Sequence, residues 1–157
     1  MAIREILQYG DKRLNTVCEP IKKLDKETLA LAQDLKDTLY NCTGVGLAAP
    51  QIGVLKRMIL IDLRNGSDPI LLINPEIIES SGSQKDFEGC LSYEDHEGEV
   101  VRPNLVKVKG ITLEGKVVLY EAKGFLARAF CHETDHLDGI MYMEKAETMY
   151  ELVDEEE

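Results

Sequence analysis

Positive charge is scarce in this chain of 157 residues: 18 Lys and Arg stand against 29 Asp and Glu, a formal net charge of −11. Contact with phosphate needs clustered Lys and Arg, so a nucleic-acid-binding surface of its own is excluded. Long apolar runs are missing too, which excludes a membrane-spanning helix. The opening residues, Met1-Ala2-Ile3-Arg4-Glu5, carry no apolar core of a signal peptide, so a cytoplasmic protein is expected. Cysteine is sparse, at positions 18, 42, 90 and 131, with no C-x-x-C spacing. In a reducing compartment these are expected to be free thiols, and Cys18, Cys42 and Cys131 read as small buried apolar residues. There is neither an internal repeat nor a low-complexity linker. The length suits one domain with a real core, expected to span residues 1–157.

Histidine is the rarest reactive residue, with three in the chain, and two of them stand in Cys131-His132-Glu133-Thr134-Asp135-His136-Leu137-Asp138-Gly139. This is the pattern H-E-x-x-H. On a helix, residues four apart share a face one turn apart, so both imidazoles can reach one metal ion. Glu133 is poorly placed to ligate alongside them. Its carboxylate can reach a water on the metal, the place for a general base. Phe125, Leu126, Ala129 and Phe130 precede the pair at helical spacing. Residues 125, 128, 129, 132 and 136 fall on one face, and Leu126, Phe130, Glu133 and Leu137 on its neighbour. Gly124 and Gly139 bracket the segment, the second as a helix stop. So apolar a helix is expected to be buried, and a buried imidazole pair needs a partner.

Elsewhere the patterns are shorter. Residues 1–24 read as irregular, with a turn at Tyr9-Gly10-Asp11. Asp25 reads as an N-cap, with Leu24 and Leu29 as a hydrophobic staple. Leu29, Ala32, Leu35 and Leu39 predict a helix over about residues 26–41. Met58–Leu63 reads as the first strand. Ile70–Ile73 and Glu76–Glu79 are separated by Asn74-Pro75. Residues 99–109 are interrupted by Pro103, which suits an edge or a bend. Ile111–Leu113 and Val117–Tyr120 flank a hairpin turn at Glu114-Gly115. The tail, 149–157, reads as a solvated, frayed acidic end. The order predicts an α+β fold: an N-terminal helix, then antiparallel strands packed around a central helix that carries H-E-x-x-H.

Two other stretches carry chemistry. A catalytic metal with two His ligands needs a third from the protein. In Glu88-Gly89-Cys90-Leu91-Ser92, Cys90 offers a thiolate suited to Zn²⁺ or Fe²⁺ beside a glycine that permits close backbone approach. A nearby carboxylate is the alternative ligand. Gly44-Val45-Gly46-Leu47-Ala48-Ala49-Pro50-Gln51-Ile52-Gly53 lacks the Lys-Ser/Thr of a phosphate loop. Its Gln51 amide needs partners, and either an oxyanion or an ordinary loop hydrogen bond would serve.

Taken together and in this order, Gly44 to Gln51, Glu88 to Ser92 and His132 to His136 resemble the three signature motifs of the peptide deformylase family. The resemblance runs from Tyr9-Gly10-Asp11 to about Met143. It implies an enzyme that removes the formyl group from the N-terminal formylmethionine of new polypeptides. It implies Cys90, His132 and His136 as metal ligands and Glu133 as general acid/base toward a metal-activated water. Gln51 and the backbone N–H of Leu91 are then the oxyanion donors. The metal implied is Fe²⁺ in the cell, with Zn²⁺, Ni²⁺ or Co²⁺ also possible. Phe125 and Ala129, with Val45, are expected to wall a slot for the methionine side chain, and Arg128 shares their face. The peptide backbone is expected to run along Val45, Gly46 and Gly89 as an added strand.

Tyr93-Glu94-Asp95-His96-Glu97-Gly98 departs from the family, placing acids where Pro-Gly is usual. It is expected to be a loop beside the site, with His96 exposed in it. Arg102, in Arg102-Pro103, is expected to pair with an acid such as Glu88. Some relatives end in a long basic helix that meets the ribosome, whereas this chain ends early and acidic, leaving at most a transient ribosome contact. Two other readings remain open at this point: an H-E-x-x-H metallopeptidase, and a binder of formylated peptides that does not cleave them.

Overall fold

The computed structural model describes residues 2–153; Met1 and the acidic run Asp154 to Glu157 lie outside the described residues. The fold is α+β, with two helices and two antiparallel sheets. Strands β1 (Gly46–Ala48), β2 (Met58–Ile61), β3 (Ile70–Ser81), β6 (Leu105–Ile111) and β7 (Val117–Lys123) form the larger sheet in the order β1-β2-β3-β6-β7. Strands β4 (Gln84–Cys90), β5 (Tyr93–Arg102) and β8 (Thr148–Glu151) form the smaller one, in the order β4-β5-β8.

Helix α1 (Lys26–Tyr40) covers one face of the larger sheet and helix α2 (Phe125–Leu137) the other. Alternation along β2 explains how. Ile59 and Ile61 pack with Phe130, Cys131 and Leu137 of α2, while Met58 and Leu60 pack with Leu31, Leu35 and Leu39 of α1. A strand with both faces covered needs an unbroken apolar run, and Met58-Ile59-Leu60-Ile61 is entirely buried. Leu29, assigned to the buried stripe of α1 by its spacing, is instead exposed, and Leu31 takes the core position. Leu24 is exposed as well.

Asp25 caps α1: its carboxylate accepts from the Thr28 N–H at 3.0 Å and from the Thr28 hydroxyl at 3.1 Å. Replacing Asp25 by Ala frees the first-turn amide and is expected to cost about 1 kcal/mol, readable as a lower urea midpoint with an unchanged slope.

Several expectations need correction. Asn74-Pro75 does not divide two strands; β3 runs through it with a shift of register between Ile73 and Glu76. Asn74 adopts a left-handed conformation (φ 51°) and bonds both backbone groups of Ile21 through its amide at 2.8 Å. Pro75 has no N–H to give a ladder, and a bulge is where that loss is tolerated. Tyr93–Gly98 is no loop. It is the first half of β5, paired with β4 on one side and, from His96 on, with β8 on the other. His96 is therefore half-buried, its ring stacked on Tyr93 at 4.0 Å. Nor is the tail frayed from residue 149, since Thr148–Glu151 is strand β8. Pro103 separates β5 from β6 where the chain passes from one sheet to the other, and Gly115 (φ 83°) turns the β6–β7 hairpin.

Candidate active site

Three elements converge between the two sheets. Helix α2 brings His132, Glu133 and His136, all buried. The C-terminal end of β4 brings Glu88, Gly89 and Cys90. The stretch from Gly44 into β1, followed by a 3-10 turn at Ala49–Ile52, brings Val45, Gly46 and Gln51.

The ligand atoms of Cys90, His132 and His136 lie within 4.8 Å of one another, and Cys90 Sγ is 3.4 Å from His136 Nε2. One thiolate and two imidazoles are a donor set that suits Zn²⁺ or Fe²⁺. Glu88 fixes one of these rings. Its Oε1 is 2.8 Å from His132 Nδ1, which places the ring proton there and leaves Nε2 to coordinate. The Nδ1 of His136 is buried with no hydrogen-bond partner among the described residues. Burial disfavours protonation of both imidazoles. Hydrogen bonds that the His132 ring gives to Cys90 and Glu88 reverse this at His132, whereas at His136 burial and the neighbouring His132 draw it below its ordinary value.

Glu88 is the hub of a buried charge cluster. It accepts from Arg102 Nε and Nη2, both at 2.9 Å, and from Arg128 Nη1 at 2.5 Å. Arg102 continues to Asp135 at 2.5 Å. Burial alone would raise the Glu88 carboxyl, but Arg102 and His132 outweigh it and hold the group well below the usual carboxylate range. The pairing of Arg102 with Glu88 follows the expectation from sequence; the contacts of Glu88 with His132 and Arg128, and of Arg102 with Asp135, were not foreseen. Only the acid in Glu88-Gly89-Cys90 and the cations at 102 and 128 could have signalled them, and pairing across 33 to 44 residues leaves no local pattern.

Glu133 has a different environment. It is 5% exposed, its Oε1 has no partner among the described residues, and burial pushes its carboxyl up to about 7. Gly46 stands against it so closely that a methyl group there would overlap Glu133 Oε2. Gln51 is buried. Its Oε1 accepts from the Ala48 N–H at 2.9 Å, and its Nε2 donates to Ser92 Oγ at 3.0 Å and faces Cys90 Sγ at 3.5 Å. The amide thus has loop partners and also stands next to the candidate metal centre. Ser92, fully buried between Gln51 and Cys90, was seen in sequence only as part of a motif.

A cleft of about 370 Å³ opens onto these groups. Val45 and Gly46 line one side, Gly89 and Leu91 another, and Phe125, Arg128 and Ala129 of α2 the third. Phe125 is 55% exposed, so it stands at the mouth and not in the core, because α2 begins there at the surface. Arg128 is buried, with its guanidinium directed at Glu88 and Gln84. Of the residues expected at the site, all but Gln51 and His136 line this cleft, and those two stand against Cys90; the Leu91 carbonyl accepts from Gln8 at 3.0 Å.

Comparison with known proteins agrees with this arrangement. The family model described as polypeptide deformylase matches residues 3–151. The chain is 50% identical over 145 residues to peptide deformylase 1 of Clostridium acetobutylicum, covering 92% of this chain and 95% of that one. It is 48% identical over 155 residues to peptide deformylase 2 of Clostridium perfringens, covering 98% and 99%. Among solved structures, the peptide deformylase from Thermotoga maritima superposes with a TM-score of 0.90 at 34% identity, covering 94% of this chain and 100% of that one. With the match running through both sheets and both helices at this level of identity, the chain belongs to the polypeptide deformylase family.

Proposed function

We propose that the chain is a single catalytic domain that hydrolyses the formyl amide of N-formylmethionyl peptides, releasing formate and a free amino terminus. The observation that carries this reading is the meeting of Cys90 Sγ with the two α2 imidazoles beside a buried carboxylate, Glu133, that has an oxygen to spare. In this reading α2 is the central helix of the site. Cys90, His132 and His136 hold one divalent ion, Fe²⁺ in the cell, with Zn²⁺, Ni²⁺ or Co²⁺ as working substitutes. When bound, the ion supplies Lewis-acid chemistry, making water acidic enough to react near neutral pH and polarising a carbonyl.

The remaining work falls to the chain's own groups. Glu133 takes a proton from the attacking water and returns it to the departing amine. A carboxyl near 7 suits both steps, because neither protonation state is far away at neutral pH. The Gln51 Nε2–H and the Leu91 N–H donate to the oxygen that becomes negative. Phe125, Ala129 and Val45 wall the slot for the methionine side chain. Val45, Gly46 and Gly89 offer backbone to the peptide, which lies against the cleft as a strand. Arg128 acts on substrate only through Glu88. Newly made chains are the natural source of such peptides, which places the enzyme in the cytoplasm.

The test is formate release from formyl-Met-Ala-Ser by protein loaded anaerobically with Fe²⁺ or Ni²⁺. Release is expected from the formylated peptide and no cleavage from the unformylated one. Stripping the ion with a chelator is expected to abolish release, and adding it back to restore it. Protein with metal bound that releases no formate would refute the proposal.

A further inference from the structure

One wall of the cleft, Thr43 to Gly46, has no regular hydrogen bonding of its own before β1 begins. Its inner side is pressed against the site: a methyl on Gly44 would overlap Leu91, and one on Gly46 would overlap Glu133. Nothing in that stretch explains why it does not swing outward. One restraint is the Asp62 N–H on the Val45 carbonyl, and the other comes from the Arg64 side chain. A single guanidinium nitrogen, Nη2, lies 3.1 Å from the Leu39 carbonyl, 3.2 Å from that of Cys42 and 3.0 Å from that of Gly44. Leu39 belongs to the last turn of α1, where carbonyls lack helical partners and the helix dipole is negative, and that turn contains no basic residue. Arg64 supplies the missing cation from another segment and grips the cleft wall with the same nitrogen.

Two further groups hold Arg64 in place. Asp62 Oδ1 accepts the Arg64 N–H at 2.9 Å, and its Oδ2 accepts the Tyr40 hydroxyl at 3.0 Å. The Asp62 N–H donates to the Val45 carbonyl at 2.7 Å, and the guanidinium carbon lies 5.2 Å from the centre of the Tyr40 ring. Arg64 itself adopts φ 59°, a left-handed conformation that a residue with a long side chain rarely takes. A conformation of this kind persists where the surroundings dictate it, often beside a functional site.

We infer that Arg64 is a positioning residue for substrate: by holding the Gly44 carbonyl to the end of α1, it sets the width of the peptide cleft. The inference rests on reading the cleft as the peptide site. It assigns Arg64 no contact with the reacting atoms, so its loss acts on peptide binding and not on turnover.

The experiment compares the parent enzyme with Arg64→Gly and Arg64→Lys. Gly suits φ 59° and removes the grip; Lys keeps a cation and donors within reach. For Arg64→Gly, KM for formyl-Met-Ala-Ser is expected to rise about five- to tenfold with kcat within about twofold, the signature of lost ground-state binding. Arg64→Lys is expected to recover part of that loss. Hydrogen exchange is expected to quicken at residues 43–46 in Arg64→Gly while α2 keeps its protection, and the melting temperature is not expected to fall. Unchanged KM and unchanged exchange at 43–46 would overturn the inference, as would a fall in kcat or in melting temperature with exchange quickened throughout. If the parent itself released no formate, the functional reading would fail, and the exchange comparison would still decide whether Arg64 holds the wall.

Discussion

Glu133→Gln is expected to lower kcat for formate release by about 10²–10⁴-fold, the usual range for a positioned general acid/base. The amide has the size of the carboxylate, so Gly46 still has room beside it, and Cys90, His132 and His136 are untouched. Metal content, measured by elemental analysis on anaerobically prepared protein, is therefore expected to stay at the parent level. Both halves of the result matter. Loss of turnover with loss of metal would show only that the pocket had been damaged. Turnover that survives with metal bound would mean that another group carries the proton. The physical basis is the contrast between two buried acids: Glu88 is surrounded by donors and held ionised, whereas Glu133 has an oxygen without a partner among the described residues and is pushed up to about 7.

Glu88→Gln is expected to be the most destabilising single change near the site, by about 3–5 kcal/mol, because it leaves buried cations without their counter-charge. Arg102 would keep Asp135, but Arg128 has no other carboxylate within bonding distance among the described residues. For a chain of this size each kcal/mol moves the melting temperature by about 2–4 °C, so a fall of roughly 10 °C is expected by calorimetry. Metal affinity is expected to weaken by about 10–100-fold as well, since His132 loses the partner that orients its ring. The pH dependence has a defined sign. The folded-state carboxyl of Glu88 lies below its ordinary value, so the unfolded chain takes up the proton first as pH falls. The stability due to Glu88 is thus complete above the ordinary carboxylate range and lost as pH drops below it. The variant is expected to lack that part of the acid slope. A variant as stable as the parent at neutral pH would show that the cluster contributes nothing net.

The residues with chemistry were legible because their spacing has direct geometric meaning. His132 and His136 share a face by the pitch of a helix, Cys90 follows a glycine, and Asp25 precedes an apolar periodic run. What stayed hidden depended on partners distant in sequence. Strand β1 looks like a glycine-rich loop until β2 pairs with it. Residues 93–98 are so polar that they read as a loop, yet they are bordered by β4 and β8. Residues 149–151 read as part of an acidic tail because charge suggests solvation, while the pairing of Gly98 with Met149 is visible only in three dimensions. Leu29 shows the same limit from the other direction, fitting the helical period while facing water. Arg64 directly follows the Met58–Leu63 run and carries no pattern of its own, and its contacts are to carbonyls twenty to twenty-five residues earlier.

The strand at residues 148–151 has a consequence for traffic along the smaller sheet. By zipping onto His96–Glu99 it occupies one flank of that sheet, where unsatisfied amides would otherwise recruit any extended segment that drifted by. The opposite flank, strand β4, pairs with no further strand among the described residues, and its Phe87–Cys90 end lines the cleft. On the proposed reading, the flank closed by β8 is lost to an incoming polypeptide, and the berth that remains is the one beside Cys90.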